Sequence, residues 1–283
     1  MFFGRECYVC PEILLQMLGE ASVQSKTSSK RLQPLIKAYI YLFGLPDVST
    51  QLRAQYFQRL IKPFKFTRVL DAGCGIGLYS FYLARKNPLA TIDACDYDSH
   101  LIEAGKEMLN RLDLSNVNIF QADLTEFSES DKYELIICQD VIDQIEDDEH
   151  LIRSFHRALK DSGTLYLAIP HQRHTKRYFT RFEWVSDKRH VREGYTEQGL
   201  AELLENNGFK TKYIRNVWGI FGEGCMELYM LTLLHLPLPF AALLFPLLSI
   251  ISLLDMIMRN SKGYGLIVIA QKNHARSKGQ DGN

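Results

Sequence analysis

The sequence places an acidic residue and a run of glycines where a ligand can be held. Asp71 is followed by Gly73, Gly75 and Gly77, so a glycine stands at every second position. Glycine lets the backbone turn sharply and lets a ligand come close to the peptide groups. A short apolar run precedes this turn and a helical pattern follows it, so the first N–H groups of that helix point at the ligand. The turn is therefore predicted to bind a ligand between a strand and a helix.

The glycine spacing argues against a dinucleotide. The dinucleotide fingerprint is G-x-G-x-x-G, or the same pattern ending in alanine. Counted from Gly73 the third glycine falls on Leu78, and counted from Gly75 it falls on Ser80. Neither position fits, so a nicotinamide-dependent oxidoreductase is disfavoured.

A second acidic residue stands where a ribose would be recognised. Asp96 closes the predicted strand 91–95 and lies 19 residues after Gly77. An acidic side chain at the tip of the second strand can accept hydrogen bonds from both ribose hydroxyls. The alternative is a turn or cap residue.

The pattern Asp-x-Gly-x-Gly-x-Gly resembles the first motif of class I, Rossmann-like S-adenosylmethionine (SAM) dependent methyltransferases. In that family the turn lies under the methionine part of the cofactor, and the acidic residue helps to hold its amino group. Residues 121–124 resemble the adenine motif, in which the Asp binds the exocyclic amine and the next N–H serves the ring. The resemblance implies SAM as cofactor and S-adenosylhomocysteine as product. The implied cofactor residues are Asp71, Gly73, Cys74, Gly75, Gly77, Asp96, Tyr97, Asp123, Leu124 and Gln139.

The resemblance is to the branch with small-molecule or lipid-like acceptors, such as isoprenoid quinone precursors. This sequence departs from the family after the fourth strand, where many relatives have the sequence Asp-Val-Leu-Glu-His-Ile. Here Asp143-Gln144 replaces Glu-His, so any role of that histidine is not available.

Strands alternating with helices predict a doubly wound α/β fold. The resemblance covers about 50–218 and 264–272 and implies a seven-stranded sheet whose last strand is antiparallel. The predicted strands are 68–70, 91–95, 117–120, 133–138, 164–169, 209–217 and 265–270. Residues 160–163 are predicted to form the turn into the fifth strand.

Regions outside this core divide the chain further. Residues 1–49 are predicted to form an N-terminal helical cap, residues 50–272 the methyltransferase domain, and residues 273–283 a disordered tail. Asp47 or Ser49 is expected to cap a helix that Pro63 ends. The cap either leans over the cofactor, as the resemblance implies, or is a packing layer.

Residues 171–195 combine seven Lys or Arg side chains with aromatic ones. Such a segment can grip an anionic group and a flat apolar body together, and the alternative is a solvated loop. If the acceptor is a hydroxyl, a base is needed. The candidates are His171, which directly follows the fifth strand, then His174, His190 and Asp140. The alternative for each of the four is a structural role as a surface or core side chain.

Residues 219–262 form an insertion between strands six and seven, and 228–254 carry no charge. The length suits a membrane-spanning helix. However, Pro237, Pro239 and Pro246 are expected to break the run into short helices, and both ends must return to one sheet. The insertion is predicted to be an apolar helical lid over the active site. The readings left open are a packed hairpin, a peripheral membrane contact and a homodimer interface.

Composition narrows the partners and the compartment. Lys+Arg and Asp+Glu are 33 each, which argues against nucleic-acid binding. Cys74, Cys95 and Cys138 fall on or beside predicted buried strands, as free thiols of a reducing compartment do. The N-terminal stretch makes a poor signal peptide. No metal-ligand spacing is found, so metal-free chemistry is expected.

The sequence thus predicts a cytoplasmic SAM-dependent methyltransferase with reversible membrane affinity and a small lipophilic acceptor, with an anionic head group as an option. O-methylation is favoured, with C- and N-methylation left open. The alternative is a catalytically silent SAM-binding or membrane-associated scaffold protein.

Overall fold

A computed structural model describes residues 33–44, 46–171, 191–192 and 194–273 of the 283. The predicted elements before residue 33, the tail after residue 273, and the candidate bases His174 and His190 lie outside these ranges.

The described strands form one seven-stranded sheet. The strands are β1 (Arg68–Ala72), β2 (Thr91–Asp96), β3 (Val117–Gln121), β4 (Tyr133–Gln139), β5 (Leu159–Pro170), β6 (Phe209–Val217) and β7 (Gly265–Lys272). Their order is β3-β2-β1-β4-β5-β7-β6. Strands β1 to β5 pair in parallel, and β7 runs antiparallel to both β5 and β6. The predicted doubly wound sheet with an antiparallel last strand is confirmed.

Helices cover both faces of the sheet, and the strands are buried between them. The helices are α1 (Gln33–Phe43), α2 (Val48–Ile61), α3 (Leu78–Lys86), α4 (Ser99–Leu112), α5 (Asp148–Ala158), α6 (Glu197–Asn206), α7 (Ile220–His235) and α8 (Leu238–Ser252). Asp47 caps α2 by accepting a hydrogen bond from the Thr50 N–H, as predicted. Helix α2 begins before residue 50, so it joins the predicted cap to the domain core.

The predicted turn at residues 160–163 is wrong, because these residues belong to β5. Leu159 pairs with Tyr133, and Thr164 pairs with Leu135, so the pairing register shifts between them. The β5 backbone bulges outward over the intervening residues, with Ser162 at a positive φ of 60°. The Lys-Asp-Ser-Gly residues are therefore an irregular part of β5 and not a turn that precedes it.

The insertion between β6 and β7 is a helical hairpin of α7 and α8, followed by a 3₁₀ turn (Leu253–Met256). Pro237 separates the two helices and Pro239 lies in the first turn of α8. The expectation that Pro246 breaks the run is wrong, because α8 continues through it. Proline at 246 leaves the carbonyl of Ala242 without its helical N–H partner. The Tyr39 hydroxyl donates to that carbonyl at 2.6 Å, which compensates for the loss.

The hairpin packs on the N-terminal helices through its own small core. Val48 of α2 lies against Cys225, Tyr229 and Phe245. The Tyr229 hydroxyl also donates to the Pro46 carbonyl at 2.9 Å. Among the described residues, 238–256 form one helical stretch long and apolar enough to cross a membrane, a test that core helices of soluble proteins also pass.

Candidate active site at the carboxyl edge of the sheet

The strand order creates a crevice at the carboxyl end of β1. Strand β1 lies between β2 and β4, so the connections from β1 and β4 leave toward opposite sides. Ligands of open α/β sheets bind at such a point. The residues that follow β1, β2, β4 and β5 contain most of the predicted site.

The glycine turn has the conformation that its sequence requires. Gly73, Gly75 and Gly77 have φ values of 77°, 56° and 87°, in the left-handed region that favours glycine. The N–H groups of Gly73 and Cys74 both donate to the Cys95 carbonyl, at 2.8 and 2.9 Å. These bonds fix the turn against the end of β2.

The three glycines are required for different reasons. A Cβ on Gly73 would overlap the Cγ2 methyl of Val141, and one on Gly77 would lie 3.0 Å from Phe81. A Cβ on Gly75 would meet no atom within 4 Å. Gly73 and Gly77 therefore serve the packing of the turn, whereas Gly75 borders open space where a ligand can approach the backbone.

Asp96 connects the glycine turn to the end of β2. Its Oδ2 accepts a hydrogen bond from the Gly75 N–H at 2.9 Å, and its Oδ1 accepts one from the Asp98 N–H at 3.0 Å. Each carboxylate oxygen has a second lone pair, so both remain able to accept from ribose hydroxyls. Asp96 can therefore be a turn residue and still bind the ribose hydroxyls.

Asp71 is buried behind the turn. Its carboxylate accepts a hydrogen bond from the Ser80 hydroxyl at 2.6 Å. Burial raises the pKa of Asp71 to about 6, the Ser80 hydrogen bonds oppose that rise, and the charge of Asp96 adds to it. A cation bound nearby would favour the ionised form of this carboxyl.

The residues predicted to lie near the adenine of the cofactor are more exposed than the glycine turn. The Asp123 Oδ1 caps the short 3₁₀ turn that begins at Leu124, accepting from the Thr125 N–H at 2.8 Å and its hydroxyl at 2.7 Å. These bonds lower the pKa of Asp123. Neither bond uses Oδ2, which remains open to an amine. Tyr97 has an exposed side chain, and its carbonyl accepts from the Gln121 amide at 2.9 Å.

Gln139, the last residue of β4, supplies a further acceptor. Its Oε1 is buried, and the described residues give it no hydrogen-bond partner. A buried amide oxygen without a partner is destabilising unless a ligand or water completes it. Because Cys138 pairs with Ala72 directly before the turn, the backbone of Gln139 lies next to the start of the glycine turn.

A second group of side chains extends the site along the same edge. We call Arg53, Asp140, His171, Trp218 and Tyr264 the edge cluster. Arg53 of α2 forms an ion pair with Asp140, and its guanidinium lies 5.0 Å from the centre of the Trp218 ring. Burial acts to lower the pKa of Arg53, but the nearby Asp140 carboxylate raises it, so the net pKa of Arg53 is raised. The N-terminal helices therefore reach the site through Arg53.

Backbone bonds join the remaining members of the edge cluster. The His171 N–H donates to the Tyr264 carbonyl at 2.8 Å, and the Tyr264 N–H donates to the Trp218 carbonyl at 3.1 Å. The structure thus brings two predicted catalytic residues, His171 and Asp140, to one edge of the sheet.

The change from Glu-His to Asp143-Gln144 has a structural counterpart. The Gln144 amide donates to the Asp140 carbonyl at 2.6 Å. Asp140 has a positive φ of 52°, which is uncommon for a residue other than glycine. Gln144 therefore helps to hold the strained backbone that carries Asp140.

One member of the predicted basic segment has another role. Arg192 contacts the Asp148 carboxylate and the Tyr195 hydroxyl, both at 2.6 Å. It is therefore engaged in anchoring the end of the segment to α5 rather than facing an acceptor.

Sequence reasoning missed Arg53, Trp218, Tyr264 and Val141. Arg53 stands in the middle of a predicted helix, and no local pattern sets it apart from a surface arginine. Trp218 and Tyr264 directly flank predicted strands six and seven at the carboxyl edge. Their position beside those strand ends was the available signal.

The cysteine thiols do not fit a role in the chemistry. Among the described residues, Cys74, Cys95, Cys138 and Cys225 are free, which confirms that the three strand-associated thiols are unpaired. Burial raises the pKa of all four, so they stay protonated at neutral pH. The described residues also contain no group of His, Cys, Asp or Glu side chains that could hold a metal ion.

A separate cleft of about 620 Å³ lies between α2 and α3 and is lined by Gln58, Phe66, Lys86 and others. Its lining includes Phe64 and Phe66, which precede β1, and contains no predicted cofactor or catalytic residue. This cleft is therefore not a candidate for the active site.

Comparison with known proteins places the chain in a family. Residues 47–213, more than half of the chain, match the family described as methyltransferase domain. The chain belongs to this family, and its fold is that of the class I SAM-dependent methyltransferases.

Individual relatives are distant. The chain is 28% identical over 97 residues to malonyl-[acyl-carrier protein] O-methyltransferase 1 of Ilyobacter polytropus, covering 34% of this chain and 35% of that protein. It is 26% identical over 123 residues to a ubiquinone biosynthesis O-methyltransferase of Actinobacillus pleuropneumoniae, covering 41% of this chain and 51% of that protein. The chain thus spans about a third to a half of the length of these two relatives.

Among solved structures, the chain resembles phosphoethanolamine N-methyltransferase 2 of Haemonchus contortus in complex with SAM. The TM-score is 0.61 at 20% identity, covering 89% of this chain and 59% of that one. This likeness shows the fold alone.

The residues present fit SAM. The open space above Gly75 can admit the methionine part, and the buried Gln139 oxygen and the Asp71 carboxylate suit its ammonium group. Asp96 offers two acceptors for ribose, and Asp123 offers one for the adenine amine.

Proposed function

We propose that this protein transfers a methyl group from SAM to a small lipophilic acceptor bound against the edge cluster. The observation that carries the proposal is the contact of Arg53 with both Asp140 and Trp218. Asp140 follows the strand beside the glycine turn, and Trp218 precedes the apolar hairpin. The cofactor turn and the hairpin therefore meet at the same edge of the sheet.

The base of the hairpin is tied to this edge by buried polar contacts. The Asp255 carboxylate accepts from the Gly219 N–H at 2.8 Å, and the Tyr56 hydroxyl donates to it at 3.0 Å. Tyr56 and Arg53 lie on the same helix, α2. This arrangement supports the proposal that α7 and α8 form an apolar wall on the acceptor side.

SAM supplies a methyl group on a positively charged sulfur, an electrophile that a nucleophile attacks in line. The residues of this chain must align that nucleophile, exclude water and, for a hydroxyl, take its proton. We assign the proton to a ring nitrogen of His171. Asp140 is held by Arg53, so we assign it the task of orienting the acceptor. His174 and His190 remain candidate bases.

The names of two relatives support O-methylation, since one is a malonyl-[acyl-carrier protein] O-methyltransferase and another is a ubiquinone biosynthesis O-methyltransferase. N-methylation is the second candidate, because another distant relative, 28% identical over 99 residues, is an (S)-coclaurine N-methyltransferase of Thalictrum flavum subsp. glaucum. A nitrogen or carbon acceptor need not lose its proton to His171 in the same way.

We further propose that the protein works in the cytoplasm and meets its acceptor at a membrane surface. The free buried thiols are compatible with a reducing compartment. The six Lys and Arg side chains of the segment 171–195 other than Arg192 would favour an acceptor with an anionic head group.

The test is methyl transfer from SAM labelled with tritium in its methyl group. The protein is incubated with the organic-solvent extract of cells and, separately, with the water-soluble extract. Transfer of label to a product in the organic phase is expected, and it should be lost in His171→Ala without loss of SAM binding.

Two results would contradict the proposal. Label that appears only in water-soluble products would exclude a lipophilic acceptor. Tight SAM binding with no transfer to either extract would favour a SAM-binding scaffold instead.

A further inference from the structure

The hairpin buries several polar side chains beside its apolar core, unlike an ordinary surface helix pair. In α7 the polar residues Glu223, Glu227 and Thr232 are buried. In α8 the polar residues Ser249 and Ser252 are buried as well. A surface helix in water normally turns its polar face outward.

The outward face of the hairpin is apolar instead. Leu243 is 77% exposed and Ile257 is 79% exposed. They belong to a stripe along α8 and the 3₁₀ turn that also contains Leu247, Ile250 and Leu254. Large apolar side chains exposed in such a continuous stripe mark an interaction surface.

The end of the hairpin is exposed on every side. We call residues 233–240 the tip, with the sequence Leu-Leu-His-Leu-Pro-Leu-Pro-Phe. All eight residues are exposed, and none carries an Asp, Glu, Lys or Arg side chain. Below the tip, Tyr229 and Ala241 are buried against α1 and α2, so the hairpin is anchored and only its end projects.

The shape of this surface selects among the partners. A second copy of the chain would cover one face of the hairpin, and the opposite side of the tip would stay in water. A lipid environment surrounds a projecting tip completely. It is also the environment in which polar side chains pack inward and apolar ones face outward.

Charges lie at the other end of the stripe. Arg259 and Lys262 are exposed, directly after the exposed Ile257 and Met258. Cationic side chains beside an apolar surface favour the head groups of anionic lipids. The apolar tip and this basic end are thus arranged as in an interfacial membrane anchor.

We propose that the tip 233–240 inserts into one leaflet of a lipid bilayer, with the α8 stripe lying against the head-group region. The inserted depth is about 5–10 Å, as for other interfacial helices. This inference deepens the proposed function, because it supplies the route by which a lipophilic acceptor reaches the edge cluster. It concerns binding alone, so its failure is distinguishable from a failure of methyl transfer.

The experiment is flotation of the purified full-length protein with phosphatidylcholine vesicles and with vesicles containing an anionic lipid. Leu236→Asp and Phe240→Asp place a charge in the tip. Leu89→Asp is the matched control, because Leu89 is also an exposed leucine, with 96% of its surface exposed. It lies in the loop before β2, at the amino ends of the parallel strands and away from the active site. SAM binding and thermal unfolding confirm that each variant is folded.

The wild-type protein is expected to float with both kinds of vesicle, and more strongly with the anionic ones. Each tip variant should bind at least about tenfold more weakly, since a charge replaces a buried apolar side chain. The control should bind like the wild type.

Three outcomes would overturn the proposal. The wild type could bind no vesicle. The tip variants could bind as well as the wild type, which would assign any docking to basic segments alone. Finally, light scattering could show a dimer that the tip variants dissociate, without vesicle binding, which would assign the tip to a second copy of the chain.

Discussion

Replacing Gly75 with alanine should separate cofactor binding from folding. The added Cβ meets no protein atom within 4 Å, so packing does not oppose it. Its φ of 56° costs alanine about 1–2 kcal/mol. The stiffer unfolded chain recovers about 0.4–1 kcal/mol, which leaves a net loss of about 1 kcal/mol. For a domain of this size, the unfolding temperature should fall by about 2–4 °C.

The same methyl group stands where the cofactor must approach the backbone. Overfilling a close contact costs about 1–3 kcal/mol, so the dissociation constant for SAM should rise roughly 5- to 150-fold. Gly73→Ala should reduce stability more than SAM affinity. Its Cβ overlaps Val141, so the main loss is in stability, and Val141→Ala should restore part of it.

Calorimetric titration with SAM and thermal unfolding of the free protein measure the two quantities. Asp113→Ala is the control, because Asp113 is exposed with a φ of 51° and lies at the end of α4. It should lose stability and keep SAM affinity. If Gly75→Ala binds SAM like the wild type, the cofactor does not lie over this glycine and the assignment of the turn is wrong.

Four further predictions concern the acidic residues and the base. Asp96→Ala should weaken SAM binding by roughly 1.5–3 kcal/mol in calorimetry, the usual value for hydrogen bonds to a charged group, and unchanged affinity would place the ribose elsewhere. SAM affinity should fall as the pH drops below about 6, because Asp71 has a raised pKa and is then protonated, so it no longer attracts an ammonium group. The dissociation constant should rise by up to about tenfold per pH unit. This pH dependence should be absent in Asp71→Asn. His171→Ala should keep SAM affinity and lose turnover of a hydroxyl acceptor by roughly 10²–10⁴-fold, whereas Asp140→Asn should raise KM if Asp140 orients the acceptor. Normal turnover in His171→Ala would mean that the base is another residue or that none is needed.

Much of the sheet could be predicted from sequence because its signals are local. Each parallel strand is a short apolar run, and the turn after β1 needs glycines at positions where the backbone has a positive φ. Asp96 could be placed for the same reason, since the end of β2 and the count from the glycines are both readable.

The remaining features depend on contacts between distant parts of the chain. The bulge at 160–163 follows from the pairing of Leu159 with Tyr133, which no local pattern reveals. Helix α8 continues through Pro246, while Tyr39, more than 200 residues earlier, bonds the carbonyl that the proline leaves. The edge cluster combines side chains from α2 and from the ends of four strands, so only the folded chain brings Arg53 to Asp140 and Trp218.

A crystal structure with bound S-adenosylhomocysteine tests the central claim most directly. We expect the amino-acid part of the ligand over Gly75, the ribose hydroxyls on Asp96 and the sulfur atom facing the edge cluster. A ligand whose sulfur faces away from Asp140, His171 and Trp218, or one bound outside the carboxyl edge of the sheet, would contradict the proposed active site.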